Sequence, residues 1–446
     1  MSLRILTITF ITLLIPFCLS AQTQRITLEQ AIQLALDNNY QLKQAENNLD
    51  LAELRELSAK ADFLPSLGAS ANTGRSVGRR FDTEVTGTFV TVTQNSFSAG
   101  ANSGIDIFRG FANINNLRSA QSDTKSREEL LRRARENVIF SAASAYLDYL
   151  LSLELLEIAE QNLTTSMRQL EQIKAQVEVG ARPTVDLLNQ ESVVANNELL
   201  LINRENDSNF ARLVLIRRLQ IDPLGDYQFI QPEIDEASAI PLNYDLNELI
   251  TASLASRADL RSEEIALQAT EYQLKATRGS YYPSLSASAS IRSSFNDLSQ
   301  LSNSDQFFDQ NPSRSFGLSL SIPIFSRLNI RTNVRAQEIN YKNAQLNLEN
   351  TRLQVVQEVN QAYNDYIARS KELDSSLRAL VAAERAYETE QQRYEVGAST
   401  LIELSQSNAN YVQAQSNRIQ TVYRFIFQEK LLDYFIGRLD EDITFN

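Results

Sequence analysis

Asp186 and Glu403 are the acids whose placement most suggests work on a ligand. Each stands six residues beyond the glycine of a Val-Gly turn, Val179-Gly180-Ala181 in one case and Val396-Gly397-Ala398-Ser399 in the other. A carboxylate there lies one turn into a helix, where its ordinary role is to offset the positive end of the helix dipole. Little other chemistry is available to the chain. It has no His, no Trp and one Cys, Cys18, which excludes Ser-His-Asp and Cys-His nucleophiles, His metal sites and Cys₄ zinc sites. Paired carboxylates occur along the helices, but without partners that would shift their pKa they read as solvated faces. A net charge of −13 with no basic run argues against nucleic acid as a partner. No catalytic residue, no metal ligand and no cofactor is expected.

The elements that carry these turns are unusual. Thirteen Gly and nine Pro in 446 residues are about 5 % of the chain, against about 12 % in an average protein, so turns are few and helices long. Residues 111–179 and 324–396 contain neither residue; each stretch ends at a Val-Gly and is followed by a second such run, 184–222 and 398–436. At 1.5 Å per residue the longer runs reach ~100 Å. Apolar and small residues recur along them at three- and four-residue steps, as in Leu131, Ala134, Val138, Ala142, Ala145 and Tyr149, or Val359, Tyr363, Tyr366, Ser370 and Leu373. That is a coiled-coil seam with a wet face.

The chain is also a tandem duplication. Phe63-Leu64-Pro65-Ser66-Leu67 returns as Tyr281-Tyr282-Pro283-Ser284-Leu285 at an offset of 218, and Val179-Gly180 returns as Val396-Gly397 at an offset of 217. Between each Pro-Ser-Leu and the following long helix the period changes to two. Leu67, Ala69, Ala71 and Thr73, then Phe97 to Ile107, alternate with polar neighbours, as do Leu285 to Ile291 and Phe316 to Ile324. Ten alternating residues match a membrane-spanning strand, and Phe63, Phe108, Tyr281, Tyr282 and Phe325 at the ends match an aromatic girdle. The segments 75–96 and 293–315 read as long polar connections. Four strands cannot close a barrel and lipid does not tolerate an open edge, so the chain must oligomerise, and three copies would supply twelve strands.

Met1 to Arg4, an apolar run over residues 5–19 and Leu19-Ser20-Ala21 predict a secretory signal peptide over 1–21. Cys18 follows Pro16-Phe17 where a lipoprotein anchor has small residues, and is read as part of the leader. No later run approaches ~18 consecutive apolar residues. The expected division is a first repeat over 22–231, with a hairpin about 66–108, a long helix about 111–179 and a return helix about 183–219. A Pro-containing linker over 220–244 leads to a second repeat over 245–446, with a hairpin about 284–325, a long helix about 327–395 and a return helix about 400–436. Thr400-Leu401-Ile402-Glu403 fits a capping box, while Pro183 stands early in the first return helix.

The order of these motifs, duplicated at near-constant offset, resembles the TolC-type outer-membrane efflux protein family over nearly the whole mature chain. Its best local signatures are the two Pro-Ser-Leu segments, Pro323-Ile324-Phe325 and residues 393–404, RYEVGASTLIEL. The resemblance implies a mainly α fold with β: tandem long helical hairpins forming a periplasmic α-barrel, and four strands per chain in a trimeric twelve-stranded outer-membrane β-barrel. It implies a homotrimer acting as a passive exit duct in efflux or type I secretion, seated in outer-membrane lipid. A periplasmic adaptor would dock at the tips Val179, Gly180, Ala181, Val396, Gly397, Ala398 and Ser399, and an inner-membrane pump of the RND, ABC or a similar class would drive transport. Asp186 and Glu403 become candidate pore-entrance acids. Gln406 stands where another acid can occur, which argues against a strong divalent-cation block. The competing reading is an exported coiled-coil structural protein whose helices are joined by ordinary β-hairpins.

Overall fold

A computed structural model describes residues 24–81, 87–231 and 241–438; the expected signal peptide with Cys18, and the middle of the expected linker, lie outside them. Two helices of 67 residues dominate, α3 (Ala112–Glu178) and α7 (Asn329–Glu395). Each is ~100 Å long and packs on two partners in series. Toward the Val-Gly turns these are the return helices α4 (Thr184–Leu219) and α8 (Leu401–Phe435). At the other end α3 packs on α2 (Tyr40–Ala61) and α6 (Ala258–Arg278), and α7 packs on α6. The chain is therefore a set of rods laid side by side, with strands at one end and turns at the other.

The packed core lies midway along the rods. Strands β1 (Gln24–Ile26) and β4 (Tyr227–Phe229) pair in parallel beside α1 (Leu28–Asn38), and α5 (Leu246–Ser256) occupies the corresponding place in the second repeat. Tyr146 of α3 is fully buried, and its hydroxyl binds the carbonyls of Ile26 and Ile230. Burial pushes that hydroxyl's pKa up, so it remains a donor. The second repeat does the same work from a different position: the Tyr366 hydroxyl accepts from Leu242 N at 2.7 Å and donates to Leu242 O. One stretch of α3 is apolar enough on average to span a membrane, with a mean hydropathy of 1.3, although no run in it is unbroken. Packing explains it, because Ile139, Ala142, Tyr146 and Leu150 are covered from several sides by α1, α4 and Tyr423 of α8. Where α5 meets α6, Arg257 is buried between Asp259 and Glu358. Burial alone would raise the Asp259 carboxyl; the bonds and charge of Arg257, helped by Arg133, outweigh it and hold the group below its usual range.

The four remaining strands form one antiparallel sheet in the order β2 (Ser66–Phe81), β3 (Phe89–Arg109), β5 (Ser284–Asn296), β6 (Ser313–Ser321). Its register separates two faces. The rows Ala69, Ala101, Ile291, Arg314 and Leu67, Ser103, Ala289, Phe316 put Ala, Leu, Ile and Phe on one face, with Arg314 toward its outer end. The row Gly68, Asn102, Ser290, Ser315 puts small polar residues on the other, where Ser290 and Ser315 share a hydrogen bond of 2.8 Å. The apolar face is open: Leu67 is 82 % exposed and Phe316 85 %.

Three sequence expectations change here. Residues 75–81 and 89–95, read as polar connection, continue the β2–β3 ladder beyond the end of β5, and residues 293–296 and 313–315, read likewise, belong to β5 and β6. Ile107 does not continue the apolar row; the register shifts between Asp106 and Phe108, so Phe108 takes that place opposite Leu285. Strand β6 ends at Ser321, ahead of Ile322 and Ile324, because Pro323 has no N–H to donate to a ladder. If the apolar face meets lipid, Leu318→Arg places a charge there at about 2–4 kcal/mol per copy and removes the protein from the outer-membrane fraction, whereas Ser319→Arg on the other face leaves insertion intact. Equal insertion of the two variants contradicts the facing.

Candidate functional site

Both long helices end in the same turn. Gly180 and Gly397 have φ of 73° and 76°, a region that side chains with a Cβ enter at a cost. Ala181 N bonds Gln176 O at 2.8 Å and Ala398 N bonds Arg393 O at 2.7 Å, closing the last turn. Nothing lies within 4 Å of where a Cβ would stand on either glycine, and Val179 and Val396 are 79 % and 80 % exposed. Apolar groups are thus presented to solvent at the far end of each rod.

The turns then diverge. In the second repeat Thr400 and Glu403 form the expected capping box: Glu403 N donates to Thr400 Oγ1 at 3.3 Å and Thr400 N donates to Glu403 Oε2 at 2.9 Å. The Thr400 N–H first, then the Ser399 and Thr400 hydroxyls and the charge of Arg393, hold the Glu403 carboxyl below its usual range. In the first repeat Pro183 stands at the cap itself with extended backbone, one position earlier than expected, and supplies no side-chain cap. Asp186 there faces a cation, Arg182, at 3.5 Å. Arg182 and Asp186 occupy the places of Ser399 and Glu403, so the first repeat holds its acid with an ion pair and the second with hydrogen bonds.

Arg182 ends the first tip turn, and the sequence alone assigned it no contact. Its guanidinium lies 4.1 Å from the centroid of the Tyr394 ring in the last turn of α7, and its Nε donates to Gln176 at 2.8 Å. One side chain therefore clasps the two tips together. The Tyr394 hydroxyl is buried without a hydrogen-bond partner; burial raises its pKa, Arg182 opposes this and Asp186 adds to it. The available signal was the break in the duplication, Arg against Ser at equivalent places. Above the tips the helix seam is polar. Asn162 of α3 donates to Asn197 of α4 and accepts from Asn408 of α8, each at 3.0 Å, so one amide joins both hairpins.

At the opposite end aromatic residues gather in two groups. Phe63, Tyr281, Tyr282 and Phe325 are exposed where helices meet strands. Phe97, Phe295 and Phe307 cluster with ring centroids 5.2–6.2 Å apart at the far end of the apolar face. The sheet is bounded by aromatics above and below, as a band that spans a bilayer is.

Comparison with known proteins agrees with this geometry. The outer membrane efflux protein family matches residues 31–218 and 249–433. Outer membrane protein TolC of Salmonella enteritidis is 22 % identical over 436 residues, covering 95 % of this chain and 84 % of that protein. The pyoverdine export outer membrane protein OpmQ of Pseudomonas aeruginosa is 24 % identical, covering 88 % and 81 %. The crystal structure of the Campylobacter jejuni CmeC outer membrane channel superposes with a TM-score of 0.81 at 19 % identity, covering 94 % of this chain and 87 % of that one. The two matched blocks fall on the two repeats and cover most of the sequence, and the chain belongs to the outer membrane efflux protein family, as an outer-membrane channel of an efflux system.

Proposed function

We propose that three copies close into one continuous duct, with a twelve-stranded barrel in the outer membrane and a helical barrel below it. The observation that carries this is a repetition of contacts. Inside the chain α3 packs on α6, burying Ser122 and Ser126, and β3 pairs with β5. Shifted by the repeat offsets, the same faces belong to α7, α2, β6 and β2, and there they are bare. Ile339, Leu346 and Leu353 of α7 lie exposed at heptad spacing, and Leu51, Leu54 and Leu57 of α2 lie exposed at three-residue steps. A neighbouring copy supplies the missing partner for each. The within-chain pair Ser103–Ala289 becomes Leu320 of one copy beside Ala71 of the next.

The duct is passive. A periplasmic adaptor docks on the tips formed by Val179, Gly180, Ala181, Val396, Gly397, Ala398 and Ser399, and an inner-membrane pump of the RND, ABC or a similar class supplies the energy. The exposed valines and the open space around both glycines support that docking. Of the two candidate entrance acids, Glu403 contributes more of the negative charge, because Asp186 is paired with Arg182 and Glu403 makes no ion pair among the described residues. The Arg182–Tyr394 clasp holds the tips together, and Gln406 spends its amide on Asn410, at 3.1 Å, where an acid would add charge. Efflux and type I secretion use the same duct with different pumps.

Two outcomes check this reading. Gly397→Val forces a β-branched residue to positive φ at the tip; export falls at least about tenfold while heat-modifiable trimers persist, and unchanged export contradicts docking there. In planar bilayers Glu403→Gln lowers the preference for cations, whereas the double variant Arg182→Gln/Asp186→Asn, which removes a neutral pair, changes it little. Because the Glu403 pKa is depressed, the wild-type preference survives as pH falls through the usual glutamate value near ~4.3 and is lost below it; loss above that value contradicts the assignment.

A further inference from the structure

The small polar face of the sheet, which the duct reading turns toward the lumen, is neutral along most of its length. Its rows run Ser66, Gly104, Ser288, Gly317; Gly68, Asn102, Ser290, Ser315; and Asn72, Ser98, Ser294. Between them lies the row Ser70, Gly100, Arg292, Ser313. Among the described strand residues, Arg292 is the only charge on this face between Asp106 at the helix end and Arg80 at the far tip. Asp106 is balanced by Arg109 at 3.5 Å, whereas Arg292 is exposed and makes no ion pair among the described residues.

Its neighbours leave it free to extend. Gly100 stands opposite, so close that an added Cβ would meet Ile291 O at 2.7 Å and Arg292 Cβ at 3.4 Å; serines at 290 and 294 flank it along the strand. The equivalent position in the first repeat is Gly74, so the assembled barrel carries three such arginines and not six. Twelve strands about 4.8 Å apart with a tilt near 40° enclose a backbone radius of about 12 Å. An extended Arg reaches roughly half of that. Three guanidinium groups then stand about 10 Å apart, near one Debye length at 0.1 M salt, and their fields overlap across the lumen.

We propose that the three Arg292 side chains form an anion-binding ring near the outer end of the barrel, taking carboxylate or phosphate groups of solutes in transit. The proposal rests on the duct reading above and extends it: the path is acidic at Glu403 and basic at Arg292. Planarity and multiple donors suit a guanidinium to such groups, and the serines around it add hydroxyls without competing charge.

The test is block of single channels in planar bilayers by tripolyphosphate added from the side of the strand turns. Wild-type current is blocked in a concentration-dependent and salt-sensitive manner. Arg292→Ser raises the half-blocking concentration about tenfold or more, and Arg292→Lys, which keeps the charge and loses the planar fork, falls between the two; heat-modifiable trimers of each variant show that assembly is intact. Conducting wild-type channels that tripolyphosphate does not block, or an Arg292→Ser channel blocked equally well, overturn the ring and leave the duct standing. Absence of trimers and of conductance in the wild type overturns the duct and the ring with it.

Discussion

Each strand at the edge of a sheet presents a row of N–H and C=O groups, and in hydrocarbon each unpaired group costs several kcal/mol. Strands β2 and β6 leave two such rows open in a sheet whose apolar face is bare. The rest of the molecule is arranged around that constraint. The duplication supplies hairpins of one design, so the contact between β3 and β5 can repeat between copies. The long helices carry the same repetition downward, because a rotation that closes the sheet also brings α7 against a neighbour's α2. Exposed heptads on α7 are then the helical counterpart of an open strand edge.

The two halves share a plan and differ where plan alone is not enough. Tyr146 and Tyr366 sit at non-equivalent places yet each ties a long helix to the chain segment that wraps it. Asn39 caps α2 with its own side chain, whereas Arg257 at the matching place enters a buried ion network with Asp259 and Glu358. Arg182 and Ser399 hold their acids by charge and by hydrogen bond respectively. In the proposed trimer of six similar units, such differences distinguish alternate positions around the wall. The charges of the proposed path follow the same logic, with Glu403 and Arg292 each replaced by a paired or neutral group in the other repeat.

Much of the architecture was legible because its signals are long. A Gly/Pro-free run of nearly seventy residues, a period of two over ten residues and a constant offset survive local exceptions. The tip turns were legible because only a residue without a Cβ takes positive φ cheaply, and both glycines do so. What escaped depends on partners distant in sequence. The outer part of β2, with Arg75, Arg79 and Arg80, looks like loop because neither face is apolar, yet β3 supplies it with a full ladder. The bulge at Ile107 preserves alternation locally and breaks it only against Leu285. Arg182 gives no hint of Tyr394, more than two hundred residues away, and Asn162 gives none of Asn408. Arg292 stands out only once the register shows the rest of its face to be small and neutral.

Closure by neighbouring copies is tested most directly by a disulfide across the inferred seam. Ala71→Cys and Leu320→Cys lie on opposite edges of one sheet and cannot meet within a chain, and Cys18 is the only native cysteine. Paired strands bring such Cα atoms to about 4.5–5.5 Å, within the range a disulfide bridges. Mild oxidation of the double variant in membranes yields, on non-reducing gels, covalent products that stop at three chains, while neither single variant cross-links. Products confined to monomer, or a ladder running beyond three, would contradict a closed barrel of three copies.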